Sequence, residues 1–259
     1  MINFANHLAD LSQVIANKYF RIPNGEISKE DDSPVTKADR EIEETIRREI
    51  EENFSDHGII GEEYGDKNTE ADFVWIVDPI DGTSSFIVGR PIFGTLIALT
   101  YKGKSILGIM NQPITRERWV GIDGYGSTFN GDRIKTRDCF EISEAVMCAS
   151  SSYHFQGEDE KILKKISALT KYQKIGGIIY GGDCYSYASL ASGFVDIVID
   201  PGLKVYDYAA LVPIIEMAGG VITDWEGNDL ELKSGVRVIA AANKELHAKA
   251  LQIICQTKN

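Results

Sequence analysis

Trp75-Ile76-Val77-Asp78-Pro79-Ile80-Asp81-Gly82-Thr83-Ser84-Ser85-Phe86 carries two carboxylates three residues apart where one kind of local structure gives way to another. Phe73 to Val77 is a short apolar run rich in β-branched and aromatic residues, which predicts a buried strand. Asp78 and Pro79 are expected to stop it, because proline lacks an N–H and pushes the residue before it toward an extended backbone. Gly82 permits a tight turn, and Thr83-Ser84-Ser85 favours the start of a helix. The free N–H groups of a helix start suit a phosphate group. Carboxylates that repel one another beside such an anion site make sense if cations lie between them. Asp-Pro and Asp-Gly are also ordinary turn dipeptides, and nothing local separates the two possibilities. Upstream, Ile59-Ile60-Gly61-Glu62-Glu63 is a second apolar run ending in carboxylates. Mg²⁺ takes oxygen ligands, so acids from separate strand ends are the arrangement it requires.

The chain has 259 residues, enough for one large domain or two closely packed lobes. Hydrophobic residues make up 43%, which supplies a core and excludes a disordered chain. The net charge of −12, with no basic block, argues against a nucleic-acid surface. It also opposes a phosphate substrate, an opposition that bound cations would relieve locally. Cys139, Cys148, Cys184 and Cys255 form no CxxC pair, and the expectation is reduced thiols in a cytoplasmic protein. The four histidines are equally scattered, so no zinc site is expected. No signal peptide and no membrane span are expected.

Residues 2–20 place Ile2, Leu8, Leu11, Ile15 and Tyr19 at helical spacing. Residues 22–37 read as a polar loop, and Asp39 then opens a helix with Ile42, Ile46 and Ile50 on one face. Asp39 could serve there only by favouring the first turn. Ile92–Tyr101 and Ser105–Gln112 flank a hairpin turn at Lys102-Gly103-Lys104, and Arg116–Ile122 adds a third strand, so an antiparallel sheet is expected. The second half alternates further strands (Ala145–Ser150, Val195–Ile199, Val221–Asp224, Val236–Ala241) with helices. Asp207 stands just before an apolar helix, where local sequence makes it an N-cap. The whole reads as a layered α/β protein.

These residues resemble the inositol monophosphatase-like family of Mg²⁺-dependent phosphatases. The resemblance lies in Gly61-Glu62-Glu63, Asp78-Pro79-Ile80-Asp81-Gly82-Thr83, Tyr206-Asp207 and Ala218-Gly219-Gly220-Val221, in the family's order. Tyr206 replaces the family's usual tryptophan. Gly89–Leu99, Ile106–Pro113 with Arg116–Trp119, and Tyr208–Pro213 resemble the histidinol-phosphate phosphatase branch.

The resemblance implies an αβαβα sandwich spanning 1–259 as one domain. It would have a metal- and phosphate-binding lobe over about 1–140 and a substrate-specificity lobe over about 141–259. It implies metal ligands at Glu62, Asp78, the Ile80 carbonyl, Asp81 and Asp207, holding up to three Mg²⁺ ions. Thr83 with Glu62 or Asp39 would activate the attacking water. The N–H groups of Gly82, Thr83 and Ser84 would hold the phosphate, and Glu63 would orient a water from just outside the site. Leaving-group contacts fall at Asp200 and at Gly182-Asp183, although Asp183 could equally cap a helix after two glycines. Two acids suit a cationic leaving group, and the expected reaction is hydrolysis of L-histidinol phosphate, a small phosphomonoester, by a homodimer. The alternatives are an inositol-1-monophosphatase or broad sugar-phosphate phosphatase, a nucleotide bisphosphate phosphatase, and a non-catalytic binding protein on the same scaffold.

Overall fold

Helices α1 (Ile2–Tyr19) and α2 (Lys37–Asn53) lie side by side, because each carries one apolar stripe that needs cover. The computed structural model describes residues 1–22, 27, 28, 34–172, 177–234 and 236–258. Helix α1 buries Leu8 and Ile15 together with the small Ala5, Ala9 and Ala16, and α2 buries Ile42, Ile46 and Ile50. Much of the polar loop expected at 22–37 lies outside the described residues; within it, β1 (Ile27–Ser28) pairs antiparallel with β2 (Pro34–Val35).

The two helices cover one face of an eight-stranded sheet. Its strands are β3 (Gly58–Gly61), β4 (Gly65–Lys67), β5 (Phe73–Asp81), β6 (Gly94–Tyr101), β7 (Lys104–Gln112), β8 (Glu117–Ile122), β9 (Gly126–Phe129) and β10 (Asp132–Arg133), with the short helix α3 (Thr83–Ile87) after β5. The order is β10-β9-β8-β7-β6-β5-β3-β4, antiparallel throughout except for β3 beside β5. The expected hairpin joins β6 to β7 through Lys102 and Gly103, both at positive φ as a two-residue turn of this hand requires.

The second half builds β11 (Met147–Ala149), α4 (Glu158–Ser167), β12 (Ile179–Tyr180), α5 (Asp183–Ala191), β13 (Ile197–Asp200), α6 (Val205–Tyr208), α7 (Leu211–Glu216), β14 (Val221–Asp224), β15 (Val238–Ala241) and α8 (Lys244–Lys258). Its five-stranded sheet runs β12-β11-β13-β15-β14. Three cores separate five layers. One lies between α1/α2 and the large sheet, one surrounds α5 and α7 between the two sheets, and one lies between the small sheet and α4/α8. This is the αβαβα sandwich that the sequence led one to expect.

Two local expectations are corrected. Strand β5 does not stop at Val77 but runs to Asp81. Pairing with β6 slips between Asp78↔Leu96 and Asp81↔Gly94, and Pro79 sits inside that irregularity, where its missing N–H breaks no ladder bond. Asp207 is not the N-cap of the apolar helix α7. It is the third residue of α6, and its carboxylate reaches back to the Lys204 N–H at 2.6 Å. Both differences serve the site, since a bulge and a one-turn helix re-aim carboxylates that regular elements would send elsewhere. Among the described residues, no helix is long and apolar enough to cross a membrane.

Candidate active site

The bulge at the end of β5 turns Asp78 and Asp81 toward Asp207, which arrives from α6. Oxygen atoms of the three carboxylates lie within 4.8 Å of one another. Asp78 is 1% exposed, and its Oδ1 has no hydrogen-bond partner. Burial raises its carboxyl well above the usual range, and the neighbouring Glu62, Asp81 and Asp207 charges raise it further. Asp81 is raised by burial and then by Asp183 and Asp207. Asp207 is pushed up to about 7, chiefly by burial and then, against the Lys204 N–H, by Glu62. An orphaned buried oxygen among mutually repelling acids fits a hard divalent cation, whose charge and oxygen preference would satisfy all three groups.

The other expected ligands stand close by. Glu62 follows β3, and its charge is felt at Asp78 and Asp207, but it lies outside the 4.8 Å group. The Ile80 carbonyl accepts the Thr83 hydroxyl at 2.9 Å and keeps a second lone pair. Gly82 adopts a left-handed conformation, φ 85°, that an L side chain would strain, and its carbonyl accepts the Ser85 and Phe86 N–H groups. Those bonds leave Thr83 and Ser84, the first two residues of α3, with no intrahelical acceptor for their N–H groups.

Asp39 does cap α2, since its Oδ2 accepts the Thr36 N–H at 2.8 Å and the Thr36 hydroxyl at 2.5 Å. Its Oδ1 is buried with no partner, and burial opposed by the Thr36 hydrogen bonds raises the carboxyl to about 6. Asp39 is raised further by the Glu62 charge, and Asp78 in turn by that of Asp39, so the cap also faces the site.

The turn that carries Glu62 is held by a residue the motifs do not include. Glu43 of α2, fully buried, accepts the Glu63 N–H at 2.7 Å, the Tyr64 N–H at 3.2 Å and Arg47 Nε at 2.7 Å. A Cβ on Gly61 would fall 2.0 Å from Glu43 Oε1, so Gly61 is what lets the helix come this close. An acid beside the Ile42/Ile46/Ile50 face is the one signal in the sequence that could have marked Glu43.

A cavity of about 540 Å³ opens beside the cluster, lined by Asp81, Asp207, Asp183, Cys184, Ser150 and His154 among others. Asp183 opens α5 at φ 40°, after Gly182 at φ 120°. Burial raises its carboxyl, while the Ser150 hydrogen bond and the His154 and Arg90 charges pull the other way. The next residue, Cys184, donates its N–H to Asp81 Oδ2 at 2.6 Å, joining the Asp183 turn to the acid cluster. Cys139, Cys148 and Cys184 are buried thiols outside any disulfide.

Asp200 is placed differently from Asp183. It is 1% exposed, is not among the residues that line the cavity, and has both oxygens engaged: Oδ1 by the Ser150 N–H at 2.7 Å, Oδ2 by the Tyr187 hydroxyl at 3.1 Å. Burial raises it from 3.8 to about 7 against those hydrogen bonds. The folded state therefore binds its proton more tightly than the unfolded chain. Its contribution to stability is full below about pH 4 and is lost as pH rises toward 7, a change of roughly 4 kcal/mol. Asp200→Asn is expected to erase that contribution. The stability of the variant relative to the parent should climb between pH 4 and pH 7 in denaturant titrations, and a difference independent of pH would refute the assignment.

A bulged strand end, a helix start and a distant one-turn helix that gather acids against free N–H groups define a class of phosphate-ester hydrolases. Residues 1–259 match the model of the inositol monophosphatase family, and the chain belongs to that family of phosphoric monoester hydrolases. It is 47% identical over 256 residues to the bifunctional phosphatase IMPL2, chloroplastic, of Arabidopsis thaliana, covering 95% of this chain and 72% of that protein. It is 34% identical to the histidinol-phosphatase of Chlorobaculum parvum, over 93% of this chain and 92% of that one. A solved inositol monophosphatase from Zymomonas mobilis superposes with a TM-score of 0.88 at 43% identity, covering 98% and 96% of the two chains.

Proposed function

We propose that this phosphatase hydrolyses L-histidinol phosphate to L-histidinol and phosphate. Asp183 carries the reading: a largely buried carboxylate on the cavity wall, tied through Cys184 to the acid cluster where the phosphate belongs. An alcohol bearing an ammonium group gives that acid a charge-assisted hydrogen bond, whereas a polyol gives it only neutral hydroxyls. The 34% identity to a histidinol-phosphatase supports the same reading. An inositol-1-monophosphatase, or a broad sugar-phosphate phosphatase, is the second reading, favoured by the 43% identity to the Zymomonas protein.

In this scheme Asp78, Asp81 and Asp207, with Glu62 and the Ile80 carbonyl beside them, would hold up to three Mg²⁺ ions. Bound there, the ions would neutralise phosphate oxygens, acidify water and stabilise the departing alkoxide. The chain itself does the positioning. The N–H groups of Gly82, Thr83 and Ser84 hold the phosphate. The Thr83 hydroxyl, fixed by the Ile80 carbonyl, orients the attacking water, and Asp39 Oδ1 or Glu62 takes its proton. Glu63 steadies a neighbouring water. Residues from about 1 to 140 form the metal and phosphate lobe, and those from about 141 form the specificity lobe, which supplies Asp183 for the leaving group and also the metal ligand Asp207. Asp200 then holds the Ser150 backbone and Tyr187 behind the cavity instead of touching the substrate. A cytoplasmic homodimer belongs to the same proposal, to be checked by mass in solution.

The test is turnover of L-histidinol phosphate and inositol 1-phosphate side by side with Mg²⁺; equal or faster release from inositol 1-phosphate would sink the reading. Asp183→Asn is expected to cut kcat/KM for histidinol phosphate by about 10- to 100-fold and that for a neutral aryl phosphate much less. Equal losses would remove the role given to Asp183.

A further inference from the structure

The same cavity is lined by a second pair of charged residues, Asp159 in the first turn of α4 and Arg237 just before β15. Arg237 Nε lies 3.0 and 3.2 Å from the two Asp159 oxygens. The guanidinium carbon stands 5.8 Å from the Trp225 ring centroid, so the side chain is held at two places. Among the described residues its four Nη hydrogens have no hydrogen-bond acceptor, and the Asp159 oxygens keep further lone pairs. Leu203 and Val236 complete this end of the cavity with apolar surface.

We propose that Asp159 and Arg237 form the subsite for a flat azole ring on the leaving alcohol. This deepens the histidinol phosphate reading and rests on it. A neutral imidazole can turn its one N–H to a free lone pair of Asp159, leaving its face to the guanidinium beside that acid. Its faces are apolar enough to lie against Leu203 and Val236, and a planar guanidinium stacks well on such a ring. A polyol would set hydroxyls against Leu203 and Val236, which offer them no polar side chain. The second acid facing the leaving group is therefore Asp159, on an element 78 residues from Arg237, and not Asp200.

The experiment measures inhibition of aryl phosphate hydrolysis by the product alcohols. L-Histidinol, its N-methylated imidazole derivative, and L-alaninol, which keeps the ammonium and lacks the ring, are compared on the parent, Asp159→Asn and Arg237→Lys. The expected result is a Ki for L-histidinol about 10-fold or more below that for L-alaninol in the parent, with most of the gain lost on N-methylation. The histidinol-to-alaninol ratio should collapse toward one in both variants. No ring preference in the parent, or a ratio unchanged in the variants, would overturn the subsite. Should a variant fail to fold, the N-methyl comparison on the parent decides alone. If L-histidinol binds as expected but its phosphate is not turned over, the subsite stands and the substrate reading falls. If histidinol phosphate is hydrolysed and the ring earns no preference, the reverse holds.

Discussion

Asp78→Asn is expected to lower Mg²⁺-dependent phosphate release by on the order of 10³-fold and to melt higher than the parent when both are free of divalent cation. The two effects have one cause. Asp78 is 1% exposed, one oxygen lacks a partner, and Glu62, Asp81 and Asp207 all oppose its charge. An amide keeps the shape, removes the repulsion and gives its carboxylate neighbours a donor. Relief of about 1–3 kcal/mol corresponds to roughly 3–10 °C in Tm for a chain of this size. Calorimetry in chelator, with a phosphate-release assay on the same preparations, checks both. A variant that melts lower in chelator, or keeps its activity, would mean that Asp78 is an ordinary structural carboxylate.

The parts of this site legible in the sequence are those whose position follows from local chain geometry. Asp78, Asp81 and Gly82 fall at one strand–helix junction, and the change from an apolar run to Gly-Thr-Ser-Ser marks that junction without knowledge of the fold. Pro79 misleads about where the strand ends, because a bulge can absorb a proline that a regular ladder cannot. Asp207 could be placed near Asp78 only by family resemblance, since no local rule brings together residues so far apart. Its local assignment as an N-cap failed because the one-turn helix α6 intervenes before α7. Asp200 shows the opposite limit. Seven residues before Asp207 is a spacing, and spacing does not say whether a carboxylate faces a cavity or is engaged by a backbone N–H and a tyrosine. Asp159 and Arg237 were invisible for the same reason as Asp207, with no motif to compensate.

Glu43→Ala is the substitution expected to cost most in stability, about 3–5 kcal/mol in denaturant titrations. It would leave the Glu63 and Tyr64 N–H groups without their acceptor and Arg47, mostly buried, without its counter-charge. Arg47 also donates to the Gly65 carbonyl, so the loss would reach both sides of the turn between β3 and β4. Glu43→Gln keeps a carbonyl oxygen for one N–H and should cost less. The functional consequence follows from chain order, because Glu62 lies between Gly61, which packs on Glu43, and Glu63, whose N–H Glu43 holds. A loosened turn lets Glu62 drift from Asp78, and the half-saturating Mg²⁺ concentration is expected to rise by about 10-fold, the usual effect of losing a partner that orients a ligand. A role confined to folding would lower stability and leave that concentration unchanged, whereas a positioning role moves both in Glu43→Ala and restores part of both in Glu43→Gln. Metal titration by calorimetry at a temperature where each variant is folded separates the two, because it reads affinity without relying on turnover.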